Sequence, residues 1–455
     1  MEFITVNPFN NQKMASLKYS SEHDAEVALQ ALAAALAEWR LLSYQERQTI
    51  LLKLGVALEA KKDFFAQLMT REMGKPIKES IAEVKKCYET IEVFCRKDLS
   101  FLQEKLLHST YESSFITYQP LGIICSIMPW NYPLWQVIRM VIPALLIGNT
   151  VLLKHAEITA ETGIEFAKLF NEVWTKSILR HCVMTHEMTE LVLADPRVQG
   201  VSLTGSTRAG MSVARTAAQY LKKYVLELGG SDPYLVLADA DLDLAAKIIA
   251  KSRLMNAGQS CISAKRCLVD ESIKDLFIEK IKTEFSHYVV GNPADSKTDI
   301  GPLAHRKFKD SLAKQLAELQ TQTGALKIYS QPHGQSEDSA CVNPEIYLLK
   351  ENSRWLSDQE FFAPVLIMIP FNSDTEAVKI ANSTVFALGG GVFSKDLVRA
   401  RKIASEMIAG QVAINDLIRS DVSLPFGGFK QSGVGRELGD AGFFEFAQTK
   451  VISNS

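Results

Sequence analysis

The sequence predicts an α/β protein with a mainly parallel sheet and helices on both of its faces. Two observations carry this. From residue 150 onward, short β-branched runs alternate with stretches of helical period, the pattern of a sheet built from crossover units. The chain has 455 residues, 47% of them hydrophobic and 22% charged, so it can bury a large core without disulfides or structural metals.

Taken in order, residues 22–100 read as helical. Ser21 stands as an N-cap before DAEVALQALAAALAEW, where Ala and Leu recur at helical spacing. A second helix is expected from Ser43 to Met73, stopped by Gly74-Lys75-Pro76. Residues 108–127 turn β-branched and aromatic around a Pro-Leu-Gly turn, so short strands are expected there. The apolar stretch at 134–153 is interrupted by Arg139, Pro143, Gly148 and Asn149. It reads as buried core, since a membrane span needs about 20 uninterrupted apolar residues.

Strand–helix units then follow one another. Thr150–Lys154 leads to a helix from about Thr159, and Val201–Thr204 leads through Gly-Ser-Thr to a helix over ARTAAQYL. The strands YVLEL and YLVLAD precede a helix from Asp241, and RCLVD precedes one from Ser272. Residues 330–341 are polar and read as a surface loop, and the tail FFEFAQTKVIS reads as an edge strand.

Charge narrows the function. Lys plus Arg is 50 and Asp plus Glu is 52, a net of −2, which argues against a nucleic-acid-binding protein. The first residues lack the basic and apolar runs of a leader. Seven scattered cysteines form no disulfide framework. A cytoplasmic protein with reduced thiols is therefore expected. Cys261 and Cys267 lack a second pair for zinc, and His186-Glu187 lacks the second histidine of a metalloprotease motif, so no metal is expected.

Three places carry candidate chemistry. Cys261, in NAGQSCISAKR, lies among Gly, Gln and Ser after a helix, where a thiol is exposed rather than packed. Glu227 ends an apolar strand before Gly-Gly, a setting for a partly desolvated general base. Gly205-Ser206-Thr207 joins a strand to a helix, whose start can hold a pyrophosphate.

Together with PWNYP (129–133), GNTVLLKHAE (148–157), LTGST (203–207), ELGG (227–230), GQSC (258–261), EFFAPV (360–365) and PFGGFKQSG (425–433), these residues resemble the aldehyde dehydrogenase superfamily. The resemblance covers nearly the whole chain. PWNYPLWQVIR, LLKHAE, STRAG and ELGGSDP bring it nearest to the bacterial succinate-semialdehyde enzymes.

The resemblance implies a Rossmann-like NAD(P)-binding domain (1–107 and 128–226), an α/β catalytic domain (227–424) and a small β oligomerisation arm (108–127 and 440–455). A homodimer or homotetramer is then expected. The resemblance also implies roles. Cys261 attacks the aldehyde, Glu227 activates the hydrolytic water, and Asn131 with the Cys261 N–H holds the oxyanion. Lys154 is counted with these catalytic residues. It also joins Trp130, Glu157, Gly205, Ser206, Leu228, Glu360 and Phe362 in holding the cofactor, expected to be NAD with NADP possible. Arg139 is the expected clamp for a distal carboxylate, helped by Arg419 and Ser420. Two departures from the pattern stand out: residues 174–190 lack the usual Gly/Pro-rich turn, and Met255 occupies a position where a human-type enzyme has Arg. Activity on another small aldehyde, or a retired homologue with a binding role, are the alternatives. Retention of Cys261, Glu227 and Asn131 argues against retirement.

Overall fold

A computed structural model describes residues 1–454. Its N-terminal hairpin (Glu2–Val6 with Lys13–Lys18) was not foreseen; a helical layer follows it. Ser21 caps the helix Glu22–Trp39 in a capping box with Asp24, and Ser43 does the same with Glu46 for Tyr44–Ala60. Such caps contribute about 1 kcal/mol each. The single helix expected from Ser43 to Met73 is two helices, Tyr44–Ala60 and Lys62–Met73, because Lys61 leaves helical geometry (φ −102°, ψ 20°). Gly74 ends the second in the left-handed region, as its Gly/Pro signal predicts.

Two large sheets follow. The first has six strands, in the order Gly433–Val434, Lys223–Glu227, Val198–Thr204, Ile123–Met128, Thr150–His155 and Leu179–His181. All pairings are parallel except that of Gly433–Val434. The second has seven strands, with Pro233–Val236 and Arg266–Asp270 near its middle and one antiparallel edge strand, Leu326–Ser330. Two apolar clusters cover the faces of the first sheet, and a third fills the second. The stretch from 134 is core, as expected: all of helix Trp135–Ile147 is buried, and Gly148 (φ 109°) stops it. Among the described residues no helix is long and apolar enough to cross a membrane.

One boundary is corrected. Ser113–Pro120 pairs with Ala447–Asn454 and Lys105–Leu107 in a separate three-stranded sheet, so the tail is an edge strand from Ala447 on, while Phe443–Glu445 end the short helix Ala441–Glu445. Ile123–Met128, which the sequence reading assigns to the same arm, lies instead at the centre of the six-stranded sheet. The turn at Leu121-Gly122 separates the two, and a strand with nearly every side chain buried cannot belong to an exposed arm.

Candidate active site

The first sheet reverses its strand order between Ile123–Met128 and Val198–Thr204. Ligands of open α/β sheets bind beyond the carboxyl ends of strands at such a switch point. Trp130 and Asn131 follow the first of these strands, and Gly205 and Ser206 follow the second. Glu227 ends the neighbouring strand, and six residues later Pro233 opens the second sheet. The two sheets thus meet at the segment 227–233, and Cys261 enters the same crevice from the loop before Arg266–Asp270.

That loop is strained. Asn256, Ala257 and Gly258 all have left-handed backbones (φ 53°, 53° and 71°). Asn and Gly adopt this readily, whereas Ala does so at a cost of order 1–3 kcal/mol. The surroundings hold it in place. Buried Arg253 donates to Gly258 O at 2.6 Å, the N–H of Asn256 donates to Glu79 at 2.9 Å, and the Asn256 amide donates to Asn131 O at 2.8 Å. Lys265, which the sequence reading passed over, is buried below the loop. Its ammonium donates to Cys261 O (2.8 Å), Gly230 O (2.6 Å) and Glu360 Oε1 (2.6 Å), so one cation sets the positions of three site segments.

The catalytic candidates come together. Cys261 lines a cavity of about 570 Å³ whose wall also includes Tyr132, Trp135, Arg139, Ser420 and Phe426. Burial pushes its thiol up to about 11, opposed by nearby Arg139 and Lys265. Glu227 is buried, and neither carboxylate oxygen has a hydrogen-bond partner among the described residues. Burial first, and the nearby Glu437 second, hold its carboxyl well above the usual range. Its backbone is pinned between Thr204 and Gly433, and a Cβ on Gly427 would lie 2.7 Å from its Oε1, so PFGG must be glycine where it covers the base. The Asn131 amide donates to Gln259 O at 3.0 Å, which leaves its second hydrogen for an oxyanion.

The dinucleotide candidates line the other wall. Ser206 caps helix Thr207–Gln219. Gly205, in the turn expected to hold the pyrophosphate, donates its own N–H to Glu227 O at 2.9 Å. The N–H groups of Thr207 and Arg208, at the first turn of the helix, are the donors that remain there. Leu228 is buried, with Gly210 close against it. Trp130 stacks on Phe308 and meets Phe362 edge-on, with centroids 5.0 and 5.8 Å apart. Lys154 is partly buried, and burial lowers its ammonium's pKa, countered by Glu157. Exposed Glu157 accepts from Tyr19 Oη at 2.7 Å, a contact from the hairpin that sequence reasoning missed. A free helix start, a partly buried cation, a carboxylate and two aromatic rings in one crevice suit a dinucleotide.

The substrate candidates are partly corrected. Arg139 does line the cavity, but it forms a buried ion pair with Glu437 and donates to Thr204 Oγ1 at 3.3 Å. It is therefore not the uncompensated cation expected. Glu437, in the Gly-rich GVGRELG segment, had no signal beyond its setting. Arg419 grips Asp416 through both oxygens, at 2.7 and 2.8 Å, on an exposed rim. Ser420 is buried and in place, accepting from Trp135 Nε1 at 2.9 Å and from Lys86 Nζ at 3.0 Å. Met255 is also in the cavity wall.

The chain is similar to known proteins over nearly its whole length. A family profile described as "Aldehyde dehydrogenase family" matches residues 1–452. The chain is 37% identical to a Deinococcus radiodurans protein named succinate-semialdehyde dehydrogenase (NADP(+)), over 99% of this chain and 94% of that one. It is 34% identical to an Escherichia coli K12 protein named succinate semialdehyde dehydrogenase (NAD(P)+), over 99% and 97%. The crystal structure of succinic semialdehyde dehydrogenase from Streptococcus pyogenes, in complex with NADP+, superposes with a TM-score of 0.95 at 32% identity, covering 99% of each chain.

Proposed function

The chain belongs to the aldehyde dehydrogenase family, and on that premise we propose that it oxidises succinate semialdehyde to succinate with NAD or NADP. The observation that carries the substrate is the cavity itself: Cys261 shares one open cavity with Lys86, which has no ion-pair partner among the described residues, and with the Arg139–Glu437 pair. A short aldehyde with an anionic end suits that combination, and the names of the relatives agree with it.

The residues then divide the work. Cys261 Sγ bonds to the aldehyde carbon, while Asn131 and the Cys261 N–H stabilise the oxyanion, each donor being worth about 3 kcal/mol. The bound dinucleotide supplies the hydride acceptor. Loss of hydride from the carbon on Cys261 leaves a thioester, which water activated by Glu227 hydrolyses. Burial pushes the Cys261 thiol up to about 11 and holds the Glu227 carboxyl above its usual range. The thiolate and the carboxylate are the working forms, and their fractions grow as pH rises, so turnover climbs from neutral pH into the alkaline range.

Lys154, Glu157, Ser206, Leu228, Trp130, Glu360 and Phe362 would hold the dinucleotide. We read the preference as NAD, because the Glu157 carboxylate, tethered by Tyr19, repels a 2′-phosphate. We place the enzyme in the cytoplasm, in keeping with seven free cysteines. Its assembly is symmetric through the three-stranded arm, whose Leu106, Val451 and Ile452 are exposed.

The deciding assay is NAD(P)H production over aldehydes with and without a distal carboxylate. Succinate semialdehyde should have the highest kcat/KM. A second reading, oxidation of an uncharged aldehyde, draws on the apolar lining by Trp135, Leu417, Ile418 and Val422. Butanal outperforming succinate semialdehyde would establish it instead.

A further inference from the structure

We propose that Lys86, together with the hydroxyl of Ser420, seats the distal carboxylate of the substrate. This rests on the reading of the chain as an oxidant of a short aldehyde acid and adds the residue that selects that acid.

The cavity wall holds three basic side chains, Lys86, Arg139 and Arg419. Arg139 is neutralised by Glu437, and Arg419 by Asp416. Lys86 has no ion-pair partner among the described residues. It lies on helix Ile77–Arg96, and its ammonium sits 3.7 Å from the centre of the Trp135 ring. It donates to Ser420 O at 2.8 Å and to Ser420 Oγ at 3.0 Å. An ammonium has three hydrogens, so one remains.

Ser420 Oγ already accepts twice, from Lys86 and from Trp135 Nε1 at 2.9 Å. With both lone pairs engaged, its own hydrogen is free to donate. One N–H of a cation and one O–H thus converge beside an indole ring, a matched pair of donors for the two oxygens of a carboxylate. An ammonium partly removed from water with no counter-charge is costly, and an anionic ligand supplies the missing charge. Of the carboxylates in the same wall, Glu83, one turn back on the helix, is bound by Lys75 and by the N–H groups of Leu134 and Trp135, Glu89 pairs with Lys85, and Asp421 acts on the ammonium without forming an ion pair.

The test compares kcat/KM for succinate semialdehyde with that for butanal in the wild type and in variants. In Lys86→Met the ratio should fall ~10- to 100-fold, and in Lys86→Arg it should recover to within ~3-fold of wild type, the scale of a charge-assisted hydrogen bond. Ser420→Ala should give a smaller fall, ~3- to 10-fold. Wild-type protein supplies a check that needs no variant. Burial holds the Lys86 ammonium near 8, with Cys87 and Glu83 on its own helix, Arg139 on the next and Asp421 after Ser420 as the charged or titratable groups around it. KM for succinate semialdehyde should therefore rise as pH passes about 8 and the ammonium is lost, while KM for butanal does not follow. An unchanged ratio in Lys86→Met, or parallel pH profiles for the two aldehydes, would overturn the assignment and return the carboxylate to Arg139. A wild type that prefers butanal would instead sink the substrate reading beneath it.

Discussion

On the catalytic wall of the crevice, Glu227, Glu437 and Arg139 are 3%, 2% and 2% exposed, and the two carboxylates lie close to a single guanidinium. On the dinucleotide wall Lys154 is only partly buried, Glu157 and Ser206 face solvent, and Glu157 is held by one hydrogen bond from Tyr19. Charge is therefore handled differently at the two walls. In the dry wall, removing a charge leaves its partner uncompensated and moves the proton affinities on which the reaction depends. In the wet wall, water can replace a lost partner, so a change there should alter affinity and selectivity more than chemistry.

The largest effect should come from the dry wall. Cys261→Ala should still bind NAD, followed by quenching of protein fluorescence, but lose at least ~10³-fold in aldehyde oxidation. Residual turnover close to wild type would remove Cys261 from the mechanism. Glu227→Gln should come next, with steady-state turnover down ~10²- to 10⁴-fold. Rapid mixing should show no more than one NADH per site before the reaction stalls, and sustained turnover would exclude Glu227 as the base for deacylation.

Arg139→Met should destabilise the fold by about 3–5 kcal/mol, because buried Glu437 loses its partner. Thermal inactivation would report this, and adding Glu437→Leu should recover much of the loss. If the double variant inactivates as fast as the single one, the pair is not acting as a unit.

The wet wall should respond more gently. Glu157→Ser should raise the preference for NADP over NAD by ~5- to 100-fold in binding titrations, the range for removing one like-charge contact. Tyr19→Phe should shift the same ratio by only ~2- to 5-fold, since it frees the carboxylate without removing it. A Tyr19→Phe effect as large as that of Glu157→Ser would mean that the hairpin itself forms part of the dinucleotide site.

Much of this arrangement was legible in the residues. The capped helices after Ser21 and Ser43, the strand–helix alternation from Thr150 and the positions of Cys261 and Glu227 follow from local signals: caps, β-branched runs and glycine turns. These signals act over a few residues, so a linear reading captures them. The failures share a different origin. Lys61 breaks a helix without a glycine or proline to announce it. Ile123–Met128 joins the central sheet rather than the arm, because strand pairing depends on partners at 150–155 and 198–204.

The same holds at the site. Residue chemistry was sufficient to nominate a thiol, a base and an oxyanion donor. Which cation is neutralised could only be settled by packing. Glu437 meets Arg139 across nearly 300 positions of chain, Lys86 meets Ser420 across 334, and Lys265 meets Glu360 across 95. Burial sets the cost of each charge, the fold supplies or withholds its partner, and neither is written in the neighbouring residues.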